Sequence, residues 1–182
     1  MKFHFFTKFF HFFPKNYCKR LAEQIKLNNS MALFLSTFIN KVDTKGRVSL
    51  PAQFRSALSV DAPNVVIVYE SFINQAIEGC DIERIKKISQ AIDDLDPFSE
   101  ERDAFSATVL GGAIQLTIDG EGRIIIPQEL IKKMNIKNNV VFVGKGSTFE
   151  IWEANKFNDY SLKAREIAKE KRNMLRLSKN ND

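Results

Sequence analysis

Residues 36–58 read STFINKVDTKGRVSLPAQFRSAL, and residues 112–134 read GAIQLTIDGEGRIIIPQELIKKM. At a shift of 76 positions Asp43 meets Asp119, Gly46 meets Gly122, Arg47 meets Arg123 and Pro51 meets Pro127. Apolar positions keep the same shift: Val42 and Ile118, Val48 and Ile124, Leu50 and Ile126, Phe54 and Leu130. Special residues in the same order, set inside matching apolar alternation, mark an internal duplication.

Each copy has the same physical reading. A β-rich segment (38–42, 114–118) leads into a turn opened by Asp and centred on Gly. The Asp side chain can accept from the turn backbone, and Gly tolerates positive φ. Asp43, Gly46, Asp119 and Gly122 are therefore expected to shape the turns. A short alternating strand follows, with Val48 and Leu50 inward and Arg47 and Ser49 outward. Pro51 and Pro127 then open short helices, where a missing N–H costs nothing. A second β segment closes each copy, VVIVY at 65–69 and VVFVG at 140–144.

Neither copy is large enough to bury much surface alone, so pairing is the expected solution. Between them, residues 81–95 space Ile82, Ile85, Ile88, Ile92 and Leu95 as a helix does. Asp96-Pro97 reads as the start of a second helix running through Phe105 to Leu110. Residues 155–177 read as a C-terminal helix with Phe157, Tyr160, Ala164 and Ile167 on one face. The reading is α+β and β-rich. It divides the chain into an extension at 1–30, a first repeat with connecting helices at 31–105, and a second repeat with the C-terminal helix at 106–182.

The formal charge of +5, from 27 Lys+Arg against 22 Asp+Glu in 182 residues, is unevenly placed. Residues 1–30 hold six of the basic side chains and one acid, so the rest of the chain is neutral. That Phe-rich extension contains no apolar run approaching the roughly 18 residues a membrane helix needs. It also lacks the h-region and cleavage site of a signal peptide. It is expected to be an appendage outside the fold, disordered or translated from a start assigned upstream of Met31; a membrane-surface anchor is the minority alternative.

Both histidines, His4 and His11, lie in the extension, and Cys80 is the one Cys after Met31. Ser-His-Asp and Cys-His catalytic systems therefore lack their base in the repeats, and zinc sites built from Cys and His lack ligands. Two cysteines, Cys18 and Cys80, do not make a disulfide framework and suit a reducing cytoplasm. No acid pair is singled out for general acid/base work, and Gly144-Lys145-Gly146 lacks the rest of a phosphate loop. No enzyme activity, metal or cofactor is expected.

With the paired Asp-x-x-Gly-Arg turns in view, residues 33–160 resemble the MraZ family, bacterial transcriptional regulators of the division and cell-wall gene cluster. The motifs are Asp43-Thr44-Lys45-Gly46-Arg47 with Pro51 and Phe54-Arg55, Asp119…Gly122-Arg123…Pro127, and the closing Glu150-Ile151-Trp152. The resemblance implies two tandem AbrB-like swapped-hairpin repeats, a double-split β-barrel with pseudo-twofold symmetry. It implies a ring-shaped homo-oligomer on tandem repeats of double-stranded promoter DNA, in the cytoplasm and nucleoid, with no membrane or small-molecule partner. It places DNA contact on Lys45 and Arg47, more weakly on Arg55, and least securely on Arg123. The family tends to carry Phe-x-Gly near its start, where this chain has Phe34-Leu35-Ser36.

Charge separates the two signatures. Glu121 stands where repeat one has Lys45 and would repel a phosphate, so the second repeat is expected to be the poorer DNA face. Ile125 replaces Ser49 and is expected at an apolar subunit contact. Lys163, Arg165, Lys169, Lys171, Arg172, Arg176 and Lys179 form a basic tail, read as a solvated helix face with nonspecific DNA contact as the alternative. Two other functions stay open at this point. One is an AbrB-like antitoxin or transition regulator; the other is an oligomeric interaction protein without a DNA role.

Overall fold

Short apolar runs punctuated by Gly and Pro favour strands, and the repeats deliver them in matched sets. The computed structural model describes residues 32–175. The first copy supplies β1 (Thr37–Lys41), β2 (Arg47–Ser49), α1 (Ala52–Ala57), β3 (Val65–Glu70) and β4 (Ile77–Cys80). Two helices connect the copies: α2 (Ile82–Asp93), then α3 (Glu100–Phe105), which runs on through a wider turn at Ser106–Leu110. The second copy supplies β5 (Ile114–Thr117), β6 (Arg123–Ile125), α4 (Gln128–Met134), β7 (Asn139–Gly144) and β8 (Phe149–Glu153). The C-terminal helix α5 (Ala154–Glu170) follows, with a last tight turn at Arg172–Met174. Expectations for residues 1–30, and for Arg176 and Lys179, fall outside the described residues.

All strand pairs are antiparallel, and most join one copy to the other. The large sheet runs β1-β7-β8-β4-β3-β5, and β2 pairs β6 in a separate two-stranded ribbon. Thr37 pairs Val143 along β1–β7, while Val65 pairs Thr117 along β3–β5. Arg47 pairs Ile125 and Ser49 pairs Arg123 along β2–β6. Each of these contacts has its counterpart with the copies exchanged. The described residues, 32–175, cluster as one compact unit, and the expected division at 105/106 lies within it. It also falls inside a continuous helical stretch.

Alternation puts Val66, Val68, Val140 and Phe142 on one face of the large sheet. There they meet Val48, Leu50, Phe54, Ile124, Ile126 and Leu130 from the ribbon and short helices. Phe34, Phe54 and Phe149 are fully buried and meet with ring centroids 5.0–5.3 Å apart. Burying three aromatic side chains of this size supplies several kcal/mol, about 1.5–3 for each. On the opposite face Ile82, Ile85 and Ile88 of α2 pack against Ile67, Tyr69 and Cys80. Burial pushes the Cys80 thiol up to about 12, which makes it an inert core residue.

Two helix bounds differ from the sequence expectation. The second connecting helix starts at Glu100, because Ser99 caps it by accepting from the Arg102 N–H at 3.2 Å. Asp96 instead holds the preceding turn, accepting from the Phe98 N–H at 3.0 Å. Helix α5 ends at Glu170, short of residue 177. Its apolar stripe is used only near its start, where Trp152 stacks on Tyr160 at 4.6 Å and Phe157 packs beside them. Ile167, further along the same stripe, is exposed. Ser36, the last residue of Phe34-Leu35-Ser36, has φ +75°. A left-handed conformation in a residue other than glycine costs roughly 1–2 kcal/mol.

Candidate nucleic-acid interface

The two signature turns share one backbone design. In the first, Asp43 Oδ1 accepts from the Lys45 and Arg47 N–H groups, both at 2.9 Å. In the second, Asp119 Oδ1 accepts from Glu121 and Arg123, again at 2.9 Å. The Gly46 N–H donates to the Asp43 carbonyl at 3.0 Å, and the Gly122 N–H to the Asp119 carbonyl at 2.9 Å. Gly46 and Gly122 have φ of +83° and +76°, the region that excludes most side chains. Pro51 and Pro127 sit at the N-caps of α1 and α4 in extended conformation and end the ribbon strands without needing an N–H partner.

The donated bonds hold both aspartates as carboxylates. The Arg47 backbone N–H, then its guanidinium, lowers the Asp43 pKa below its ordinary 3.8. The Arg123 backbone N–H is likewise the largest cause of the lowering at Asp119.

The side chains above this shared backbone differ. Arg47 Nε donates to Asp43 Oδ2 at 2.6 Å. Among the described residues, no side chain or carbonyl engages its two terminal nitrogens, and the side chain is 43% exposed. Lys45 beside it is exposed and unpaired among the described residues. Arg123 is tied on every side: Nε and Nη2 reach Asp119 Oδ2 at 2.9 Å, and Nη1 reaches Glu121 Oε2 at 2.5 Å. One turn offers cationic donors to solvent. The other neutralises itself.

Each turn is braced by the opposite copy. The Ile126 N–H donates to the Gly46 carbonyl and the Leu50 N–H to the Gly122 carbonyl, both at 2.9 Å. Gln128 Nε2 of α4 adds a bond to the Thr44 carbonyl at 3.3 Å, and Ile131 Cδ1 packs under Gly46. Arg55, expected as a weaker DNA contact, lies inward. Its Nη1 bonds the Leu50 carbonyl and lies 3.5 Å from the Gly122 carbonyl, with the guanidinium against Gly122. The geometry makes it a strut between the copies. Sequence reasoning missed Gln128 and Ile131, whose only signal is that they follow Pro127 on the face turned toward repeat one.

The ribbon presents Ile125 on the face of Ser49, as expected from its position in the repeat. It stands directly across from Arg47 and is 57% exposed, on the side away from the buried Val48 and Ile124. The expected subunit contact and the expected DNA contact therefore share one face.

Comparison with known proteins agrees with these motifs. The family model described as "MraZ protein, putative antitoxin-like" matches residues 109–177. The "Transcriptional regulator MraZ" of Rickettsia bellii is 50% identical over 147 residues, covering 80% of this chain and 98% of that protein. The protein of the same name from Rickettsia rickettsii is 51% identical over 146 residues, with the same shares. The solution structure of PHS018 from Pyrococcus horikoshii, 17% identical over 65% of this chain and 87% of its own, superposes with a TM-score of 0.27, which carries no weight for the fold. With half of the aligned residues identical over 80% of this chain and 98% of each of these relatives, the chain belongs to the MraZ family of transcriptional regulators.

Proposed function

We propose that this chain is a sequence-specific DNA-binding regulator of the division and cell-wall gene cluster, acting in the cytoplasm at the nucleoid on tandem promoter repeats. The exposed cationic edge of the Asp43–Arg47 turn carries this reading. Asp43 holds Arg47 by Nε, so the two terminal nitrogens face outward as a preset fork. Such a fork matches guanine O6 and N7, or a phosphate, whereas Lys45 supplies a point charge. One bidentate contact is worth roughly 1–3 kcal/mol of discrimination, too little for one chain to select a promoter. Several copies on repeated DNA boxes multiply it through effective concentration.

The exchange of strands between copies supports the swapped-hairpin, double-split barrel reading of the repeats, related by a pseudo-twofold axis. Two surfaces support a ring of identical subunits. Residues 93–103 carry Asp93, Asp94, Asp96, Glu100, Glu101 and Asp103 against one base, Arg102, with Leu95 and Phe98 exposed. The outer part of α5 and the turn after it carry Lys163, Arg165, Lys169, Lys171 and Arg172 against Glu166 and Glu170, with Leu162 and Ile167 exposed. Head-to-tail contact of unlike surfaces closes into a ring when the rotation allows.

The test is retardation of the chain's own upstream promoter fragment over a series of salt concentrations, beside native mass spectrometry. Binding is expected to weaken steeply with salt as counterions are displaced, by a protein of multiple subunits. A monomer, or one that retains no promoter fragment at low salt, overturns the reading. The latter result would restore an interaction protein without a DNA role.

A further inference from the structure

We propose that Ile125 reads a base: its side chain packs against the C5-methyl of a thymine adjacent to the base contacted by Arg47. The inference rests on the DNA-binding reading above and goes beyond it by assigning specificity to the repeat whose own cations are neutralised.

The ribbon supplies the geometry. Ile126 N–H donates to the Gly46 carbonyl at one end and Leu50 N–H to the Gly122 carbonyl at the other, both at 2.9 Å. Between these bonded positions Arg47 faces Ile125 at a non-hydrogen-bonded pair, the class in which opposite Cα atoms approach to about 4.5 Å and side chains touch. Val48 and Ile124 point into the core at 1% and 0% exposure, so Arg47, Ser49, Arg123 and Ile125 share the outward face. Within that set Arg123 is bound by Asp119 and Glu121, which leaves Arg47, Ser49 and Ile125 able to engage a partner, and Ile125 is the apolar one of the three.

A two-stranded antiparallel ribbon fits the major groove, where thymine alone among the bases presents a methyl group. An arginine fork beside a β-branched apolar side chain is chemically matched to a guanine with a neighbouring thymine. A subunit contact at Ile125 would instead cover Arg47, which excludes that use of the residue wherever Arg47 meets DNA.

The experiment amplifies the upstream promoter fragment with dTTP or with dUTP, giving two duplexes of equal sequence and pairing that differ only in thymine methyls. Wild-type chain is expected to bind the uracil duplex about fourfold more weakly per occupied thymine, the worth of one buried methyl-sized group, compounded over tandem boxes. Ile125→Ala should bind both duplexes with equal affinity while keeping the wild-type melting temperature and native mass, as suits an exposed position. Equal binding of both duplexes by the wild type overturns the proposal, as does undiminished discrimination in Ile125→Ala. Absence of binding to the thymine duplex at low salt is a different result and removes the DNA reading itself.

Discussion

The Asp43–Arg47 and Asp119–Arg123 turns have nearly the same backbone and opposite electrostatic outcomes. Both keep the aspartate that organises the loop and the glycine that allows its positive φ. They diverge at the tip, where Lys45 is replaced by Glu121. Glu121 takes up Nη1 of Arg123 while Asp119 takes up Nη2, whereas the terminal nitrogens of Arg47 have no partner among the described residues. The lesson is that a duplicated motif conserves the apparatus of presentation more readily than what is presented. Arginine in a signature is thus no evidence of contact until its nitrogens are accounted for.

The largest effect should come from removing the two arginines in turn. Arg47→Ala is expected to weaken promoter binding at least tenfold to a hundredfold, from about 1–3 kcal/mol per chain multiplied by avidity. Arg123→Ala should change it less than threefold in the same filter-binding or fluorescence titration. Equal losses would collapse the distinction between the turns.

Substituting the two glycines should separate the turns in stability. A Cβ on Gly46 would collide with the Ile126 backbone carbonyl, whereas one on Gly122 would press against the Arg55 guanidinium, 2.7 Å away on a movable side chain. Gly46→Ala is expected to cost about 3 kcal/mol and Gly122→Ala about 1–2, read by denaturant unfolding. The reverse order would show that the Arg55 strut is the more rigid brace.

A milder change should make the second turn resemble the first. Glu121→Gln removes the acid from Arg123 Nη1, and promoter or nonspecific binding should strengthen two- to fivefold with a steeper salt slope, by up to about one ion per chain. An unchanged slope would place the second turn away from the DNA.

The smallest effect is one the turns share. Both aspartates have pKa values below the ordinary 3.8, so each adds stability above that pH and loses it as pH falls through the lower folded value. The melting temperature should drop in this acidic window. Asp43→Asn and Asp119→Asn should each flatten the drop modestly, since both groups lie at the surface.

Much of this comparison is legible in the residues. Asp, Gly, Arg and Pro at fixed offsets announce the turns, because each has a local conformational reason to be there. Glu121 announces their asymmetry. What a linear reading misses is long-range partnership. Arg55 follows Phe54 on a short helix and reads as a solvent-facing cation, but the Gly122 carbonyl beside it lies 67 residues away. Strand exchange is hidden for the same reason: similarity between copies reveals that they match, not which copy each strand joins. Helix ends depend on what covers them, and α5 stops at Glu170, well beyond the Trp152–Tyr160 contact that anchors its start. Ser36 shows a further limit, since its left-handed φ is imposed by the fold and not by its own preference.

The ribbon of β2 and β6 has a consequence for descent as well as for binding. A gene duplication normally frees one copy to decay or be deleted. Here each half completes the other's turn with a backbone bond, so loss of the second half would strip the first of its support. Variation is channelled to the loop tips, at Thr44 and Lys45 or Gly120 and Glu121, where a new side chain alters what is offered to a partner without severing the halves. The protein can change its address while keeping its architecture.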